Sequence, residues 1–287
     1  MSGGTATMLL RTLLISTLLF TQTVLAAEPV IDAQPLAIGQ TFELRSAVLS
    51  ETRRINIYRA ASVDIGPDAA LPVLYMPDGG IGEDFLHVAG LLQVSVGNGT
   101  MRPFLLVGIE NTQRRRDLTG PTGNPADRKI APQVGGSAVF RSFLRDELMP
   151  EIKCRYPSTD ENAIVGESLA GLFVLETLVL EPALFDTYVA IDPSLWWNHA
   201  ALLPQAELAL ARNRDLQATL YLTNSQDDIA GLTARLSRQL KDAALPHLTL
   251  YYAPMPEETH ATIFHPAALR AFRTVFNKKR TEGIESP

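Results

Sequence analysis

Short apolar runs alternate with helical patterns along most of this chain, and this alternation constrains the fold more than any other feature of the sequence. Residues 187–191 and 248–252 are examples of the apolar runs. In residues 138–156, bulky apolar side chains recur every three or four positions, which is the spacing of one helix face. Strands buried on both faces are typical of a parallel sheet covered by helices. The pattern therefore predicts an α/β fold with a mostly parallel central sheet and helices on both faces.

The remaining elements extend this prediction over most of the chain. An antiparallel hairpin is expected over 41–50 and 53–60, where apolar and polar residues alternate. No internal repeat or linker divides the sequence, so residues 27–287 are expected to form a single domain. The other predicted strands cover 71–76, 104–109, 163–165 and 218–223, and the other predicted helices cover 229–244 and 266–276.

Composition excludes several classes of protein. The chain has 287 residues, of which 46% are hydrophobic, and this content is too high for a disordered chain. With a formal net charge of −6, the chain lacks the basic character of a nucleic-acid-binding protein, so no nucleic-acid partner is expected. Cys154 is the single cysteine, which excludes an intrachain disulfide and a cysteine-based zinc site.

The N-terminal segment is typical of a secretory signal. Arg11 precedes the apolar run 12–20, and small residues follow at Ala26 and Ala27. The run is shorter than the roughly 20 apolar residues that span a bilayer. We therefore predict a signal peptide over 1–26, an exported protein in the periplasm or outside the cell, and no stable membrane insertion after cleavage. An uncleaved N-terminal anchor is the alternative.

The strongest chemical motif is a serine turn between a predicted strand and a predicted helix. Gly166 and Ser168 lie where the apolar run ends and a helical pattern begins. A nucleophile elbow has this context, since its serine sits on a strained turn with the hydroxyl exposed above the sheet. The alternative is a glycine–serine turn without chemistry. The context favours Ser168 as a nucleophile.

A serine nucleophile needs a base, and in this fold class an acid and then a histidine follow the serine along the chain. His260 and His265 lie after the last predicted strand, and His260 is favoured because it precedes the terminal helix. Asp228, after the strand 218–223, is the first choice for the acid that orients the imidazole. Asp227 is the second choice and Asp192 the third. Asp228 could instead cap the following helix, since aspartate is a preferred N-cap.

Two backbone N–H groups are expected to stabilise the oxyanion. One belongs to Leu169, directly after the serine, and the other to Gly80 in the turn that follows strand 71–76. The glycine pair at 79–80 could equally form only a turn.

Several segments together resemble the putative-esterase family of the α/β-hydrolase superfamily, which includes siderophore esterases, feruloyl esterases and S-formylglutathione hydrolases. The resemblance covers roughly residues 40–277. It implies an α/β-hydrolase fold, Ser168 as nucleophile, His260 as base and Asp228 as acid, although some siderophore esterases of this kind use a Ser–His pair. Ala170 and Asp192 depart from the family pattern, which usually has glycine and serine there. The segments that carry the resemblance are LPVLYMPDGG (71–80), VGIENTQRRRDLT (107–119), VGESLAGLF (165–173), FDTYVAIDPSLWWN (185–198) and ETHATIFHPAAL (258–269).

Candidate substrate-binding residues lie in two segments. Trp196 and Trp197 follow a strand end at the expected catalytic edge, where they could stack on an aromatic acyl group or simply pack in the core. Arg114 and Arg116 belong to the long polar segment 110–136, and their guanidinium groups could hold an anionic substrate or lie on a solvated surface.

These observations predict a serine hydrolase that cleaves carboxylic esters through a Ser–His–Asp triad and an acyl-enzyme. The expected partner is a small-molecule ester, such as a siderophore or an aryl or feruloyl ester. No metal or organic cofactor is expected. The alternatives are an acyltransferase on the same scaffold and an inactive hydrolase-fold binding protein. The sequence does not indicate an oligomeric state.

Overall fold

The computed structural model describes residues 34–60, 66, 68–212 and 217–277. The predicted signal peptide at 1–26 lies outside these residues. Contacts within the chain separate its N-terminal part, up to Leu36, from the rest, and the described residues from Ala37 onward pack as one compact unit. Within the described part of the chain, no helix combines the length and apolarity that a membrane crossing requires.

An eight-stranded sheet forms the centre of the protein, in the order β1-β2-β4-β3-β5-β6-β7-β8. β1 and β2 form an antiparallel hairpin, and β2 pairs antiparallel with β4. The other six strands, β3 to β8, are parallel to one another. The mostly parallel α/β prediction is therefore confirmed. The strands are β1 (Gln40–Ser46), β2 (Glu51–Arg59), β3 (Leu71–Pro77), β4 (Leu105–Ile109), β5 (Ser158–Glu167), β6 (Thr187–Ile191), β7 (Ala218–Thr223) and β8 (Leu248–Tyr252).

Helices cover both faces of the sheet and create two apolar layers. One layer packs α1 and α9 against the sheet, and the other packs α3, α5, α7 and α8 against the opposite face. α5 is apolar around its whole circumference, and ten of its twelve residues are buried. The helices are α1 (Phe85–Gly97), α2 (Arg114–Asp117), α3 (Ser137–Phe143), α4 (Met149–Arg155), α5 (Leu169–Leu180), α6 (Trp197–Ala200), α7 (Leu202–Arg212), α8 (Leu232–Asp242) and α9 (Phe264–Val275).

Two predicted helices are interrupted. The segment 138–156 contains α3, a π-helical stretch over Leu144–Leu148, and α4. Pro150 lies in the first turn of α4 and has no N–H to continue the regular hydrogen-bond ladder, which accounts for the wider turn before it. In the segment 229–244, α8 begins only at Leu232. Gly231 adopts a positive φ of 62° there, after a short 3-10 turn.

Candidate active site

The carboxyl ends of the parallel strands meet at one edge of the sheet, where open α/β sheets place their ligands. Asp78 follows β3, Glu167 ends β5, and Asp192 follows β6. The loop between β8 and α9 carries His260 to the same edge. Residues far apart in the chain are therefore brought together by strand order.

Ser168 occupies a sharp turn between β5 and α5. Its backbone has φ 60° and ψ −120°, a conformation that L-residues seldom adopt. Its N–H donates to the carbonyl of Ile191 at 3.1 Å, which ties the turn to the neighbouring strand. A Cβ at Gly166 would lie 2.6 Å from the backbone of Ala170, so this position requires glycine. The turn has the strand–serine–helix geometry of a nucleophile elbow.

His260 lies between the serine and a carboxylate. Its Nε2 is 3.1 Å from Ser168 Oγ, and its Nδ1 is 2.7 Å from Asp192 Oδ2. The hydrogen bond to Asp192 raises the pKa of His260, and the charge of Glu167 acts in the same direction. An imidazole with a carboxylate on one nitrogen and a hydroxyl on the other has the arrangement of a general base beside a nucleophile.

The structure places the first choice for the orienting acid away from the imidazole nitrogens. Asp228 lies next to the N-terminus of α8, where its two carboxylate oxygens accept from the N–H groups of Thr233 and Ala234 at 3.0 and 3.3 Å. It therefore binds N–H groups in the first turn of α8, although the N-cap residue of this helix is Gly231. The acid in contact with the imidazole is Asp192, the third choice.

Asp192 is fixed by a second set of hydrogen bonds. The N–H and the hydroxyl of Ser225 donate to its two oxygens at 2.9 and 2.8 Å. Burial raises the pKa of Asp192, but the bonds to His260 and Ser225 outweigh burial and keep the pKa below its usual value. The carboxylate is therefore ionised and held in place behind the ring. Its backbone, like that of Asp78, has a positive φ, with values of 43° and 59°.

Asp227, the second choice, supports His260 through the backbone. Its Oδ2 accepts from the His260 N–H at 2.8 Å, and no contact of Asp227 with the ring nitrogens is seen among the described residues. The three aspartates considered from the sequence thus have three different positions: behind the ring, on the backbone of the histidine, and on a helix end.

The two predicted oxyanion donors differ in the structure. Leu169 is the first residue of α5, where a backbone N–H has no acceptor within the helix. The Gly80 N–H already donates to Glu83 Oε2 at 2.7 Å. The Glu83 carboxylate therefore closes the turn that contains Gly80, and the Gly80 N–H is not a free donor here. Leu169 stays a predicted donor.

A cavity of about 470 Å³ opens beside Ser168 and His260, within the size range of small-molecule sites. Trp196 lines it together with the acidic residues Asp227 and Asp228. Trp197 does not line it. The Trp197 side chain is buried, and its Nε1 donates to the Gly120 carbonyl at 2.9 Å. Trp197 therefore contacts the long polar segment and not the cavity beside Ser168.

The two candidate arginines of the long segment, Arg114 and Arg116, are paired with carboxylates. Arg114 forms a two-bond contact with Asp78, at 2.7 and 2.8 Å. Arg116 donates to Asp117 at 2.6 Å and to Glu51 at 2.9 Å. Carboxylates inside the protein thus occupy both guanidinium groups, which does not support their predicted role in holding an anionic substrate.

Glu167 is a site residue that the sequence reasoning missed. Its Oε1 lies 3.3 Å from His260 Nε2, and its side chain is 17% exposed. Burial raises the pKa of Glu167 to about 7, although the charges of His260 and Arg114 oppose this. The available signal was its position directly before Ser168 in the turn, which brings an ionisable side chain near the serine.

The alternative base, His265, lies elsewhere. It belongs to α9, and its ring stacks on His87 with the ring centroids 4.8 Å apart. Burial and the proximity of His265 lower the pKa of His87. The pair packs between α1 and α9, away from the serine hydroxyl that His260 contacts.

Comparison with known proteins agrees with this geometry. The family model described as "Putative esterase" matches residues 46–245. A ferri-bacillibactin esterase of Bacillus subtilis is 30% identical over 55% of this chain and 60% of its own length. A siderophore triacetylfusarinine C esterase of Aspergillus fumigatus is 38% identical over 33% of this chain and 32% of its own length. The chain thus spans less than two thirds of these curated relatives.

Solved structures resemble the whole sheet and its helices. An IroE-like serine hydrolase of Shewanella oneidensis superposes with a TM-score of 0.73 at 28% identity, over 83% of this chain and 80% of that one. The BES protein of Bacillus cereus superposes with a TM-score of 0.75 at 21% identity, over 85% and 98% of the two chains. The family match covers more than half of the sequence, and the fold is that of these hydrolases. This chain therefore belongs to the putative esterase family.

Proposed function

We propose that this protein is a serine hydrolase that cleaves carboxylic esters, with Ser168 as nucleophile, His260 as base and Asp192 as the orienting acid. The observation that carries the proposal is the continuous contact from Asp192 through both ring nitrogens of His260 to the Ser168 hydroxyl, at 2.7 and 3.1 Å. Family membership supports the same chemistry.

In the acylation step, the Ser168 oxygen attacks the ester carbonyl while its proton moves to His260 Nε2. The carbonyl π electrons move to oxygen, and the Leu169 N–H at the start of α5 stabilises the resulting negative charge. Asp192 stabilises the imidazolium and keeps Nε2 directed at the serine. Collapse of the tetrahedral intermediate breaks the ester C–O bond, and His260 returns its proton to the leaving alkoxide.

Deacylation repeats these steps with water. His260 takes a proton from water as the water oxygen attacks the acyl carbon, and the second tetrahedral intermediate releases the carboxylic acid. The proton on Nε2 then returns to the Ser168 oxygen. Each proton taken by His260 is given back within the same half-reaction, so the cycle needs no group outside the site.

The proposed substrate class is an ester-linked siderophore, with aryl and feruloyl esters as the wider class. Two curated relatives are named as esterases of ferri-bacillibactin and of triacetylfusarinine C. The cavity is partly open and could accept one arm of a larger ester, because Ser168 and Trp196 both line it and the indole offers an aromatic surface for stacking.

A fluorophosphonate probe tests the nucleophile. We expect the folded wild type to be labelled on Ser168 and Ser168→Ala to take up no label, with ester hydrolysis falling by a factor on the order of 10⁶. Ser194→Ala is the matched control, because the Ser194 hydroxyl lies 3.4 Å from that of Ser168 and Ser194 lines the same cavity. Labelling that survives in Ser168→Ala and disappears in Ser194→Ala would move the nucleophile to Ser194. A folded wild type that takes up no label would favour a binding protein.

Product analysis separates hydrolysis from acyl transfer. Siderophore triesters, feruloyl esters and simple aryl esters should be compared with and without an added alcohol acceptor. We expect the free acid to be the main product in both cases. A new ester that forms in proportion to the acceptor and replaces the acid would identify an acyltransferase.

A further inference from the structure

The nitrogen that faces the nucleophile has two neighbours. His260 Nε2 lies 3.1 Å from Ser168 Oγ and 3.3 Å from Glu167 Oε1. A triad needs only the first of these contacts. Since Glu167 and Ser168 are adjacent in the elbow, the turn that presents the hydroxyl also presents a carboxyl group to the same nitrogen.

Glu167 lies in surroundings that make its protonation state sensitive to the histidine. Its side chain is 17% exposed, and burial disfavours the charged form. His260 and Arg114 favour the charged form, while two neighbouring carboxylates oppose it. The charged groups that face Glu167 or His260 from the surrounding elements are Asp78 after β3, Arg114 of α2, Asp192 after β6 and Asp227 after β7.

We propose that Glu167 is a second acidic partner of His260, which shares the proton at Nε2 with the imidazole and competes with the Ser168 hydroxyl for that nitrogen. This inference rests on the proposed function of Ser168 and His260. It assigns to Glu167 control over the pH at which the base becomes available.

The number of protons that Nε2 and Glu167 hold together explains how Glu167 controls this pH. While Nδ1 keeps the proton that faces Asp192, Nε2 and Glu167 can together hold one further proton. It sits either on Nε2, facing the Glu167 carboxylate, or on Glu167, facing the Nε2 lone pair. In both arrangements Nε2 is engaged with Glu167 and cannot accept the proton of Ser168. Loss of this proton leaves a free Nε2 lone pair and an ionised Glu167. The two groups therefore titrate as a pair, and activity appears when the pair loses its last proton.

The same carboxylate assists the reaction above that pH. When Ser168 transfers its proton, His260 becomes an imidazolium between two carboxylates, Asp192 at Nδ1 and Glu167 at Nε2. A negative charge at each nitrogen stabilises the positive charge that develops in the transition state. Glu167 therefore makes His260 a stronger base and raises the pH at which Nε2 becomes free. These two effects have opposite consequences at low and high pH.

The test is the pH dependence of kcat/KM in Glu167→Gln. Removal of the negative charge lowers the pKa of His260, so we expect the acidic limb of the profile to move to lower pH. The plateau at high pH is expected to fall, because the imidazolium loses one stabilising charge. The curves of variant and wild type should therefore cross, with the variant faster at acidic pH and slower at alkaline pH. Glu167→Ala should move the limb in the same direction, which separates loss of charge from a new amide hydrogen bond.

Glu257→Gln is the matched charge control, because Glu257 is exposed and lies three residues before His260. It removes one negative charge without removing a group that contacts the ring, and its acidic limb should stay with that of the wild type. A simple structural role of Glu167 would lower kcat/KM at every pH and leave the limb unmoved. That result in a folded Glu167→Gln protein would overturn the proposal.

An NMR titration of the His260 ring makes the test independent of turnover. The ring resonance, assigned by comparison with His260→Gln, should titrate at lower pH in Glu167→Gln than in the wild type. An unchanged titration would reject the role of Glu167 even if Ser168 is the nucleophile. If Ser168→Ala kept full activity while the titration moved as expected, the proposed function would fail and the contact between Glu167 and His260 would stand.

Discussion

The ends of β6 and β7 carry the same chemical group but use it in different ways. Asp192 follows β6, and its carboxylate contacts His260 Nδ1 while two Ser225 groups hold it from behind. Asp228 lies five residues beyond β7 and accepts from two N–H groups at the start of α8. Both carboxylates line the same cavity. Their different partners show that a carboxylate at this edge of the sheet does not by position alone become the partner of His260.

The difference follows from the donors within reach of each carboxylate. The N-terminus of α8 offers unpaired N–H groups together with the positive end of the helix dipole, and both attract the nearer acid. The partners of the Asp192 carboxylate are instead Ser225 and the imidazole of His260. Each carboxylate therefore binds the donors within its reach, which are helix N–H groups for Asp228 and Ser225 with the imidazole for Asp192.

The largest expected effect comes from Asp192→Asn. The amide cannot accept the Nδ1 proton with the same strength and favours the wrong tautomer of His260, so we expect kcat to fall by about 10²–10⁴-fold. Steady-state kinetics on an aryl ester, together with thermal unfolding of the variant, would measure this. Activity within a few-fold of the wild type would remove Asp192 from the triad and leave a Ser–His pair.

Asp228→Ala is expected to act on stability instead. Loss of the two hydrogen bonds to the first turn of α8 should lower the free energy of unfolding by about 1 kcal/mol, comparable with the loss of a side-chain cap. We expect kcat to change by no more than a few-fold, because the carboxylate does not contact the ring. Denaturant unfolding and kinetics of the same preparation provide the comparison. A loss of kcat as large as that of Asp192→Asn, without loss of stability, would return Asp228 to the triad.

The smallest expected effect concerns the negative charge that Asp227 and Asp228 bring to the cavity. Asp227 and Asp228 face the cavity, whereas Arg114 and Arg116 are paired with carboxylates. We therefore expect a neutral ester to be hydrolysed with a kcat/KM several-fold higher than that of an isosteric anionic ester, and added salt to narrow the gap. A preference for the anionic ester would show that a guanidinium leaves its partner when substrate binds.

Much of the fold could be predicted, because it depends on patterns that are local in the sequence. The apolar runs at 187–191, 218–223 and 248–252 coincide with β6, β7 and β8. The strand of the elbow was predicted at 163–165 and extends over Ser158–Glu167, because its first half is polar and half-exposed. Register with the neighbouring strands, which no local pattern contains, decides where that strand begins.

The site could be predicted where one residue type in one context suffices. Ser168 and His260 meet as the motif and the chain order indicated. The choice among Asp192, Asp227 and Asp228 depends on angles and donors that the sequence does not display. The same holds for the Gly80 N–H, which a carboxylate from its own turn occupies. The order of residues along the chain therefore limited the candidates for the acid. Which of them contacts the imidazole depends on hydrogen bonds that only the folded structure shows.

Asp78, Ser168 and Asp192 all have left-handed backbone conformations, at three neighbouring strand ends. A non-glycine residue in such a conformation costs about 1–3 kcal/mol, which is a sizeable part of the net stability of a domain. Glycine would relieve this cost at each position and would remove the side chain as well. Selection for stability alone would therefore favour glycine at these three positions. Persistence of the three side chains in descendants of this chain would record selection for what the edge does, and their loss would mark a lineage released from it.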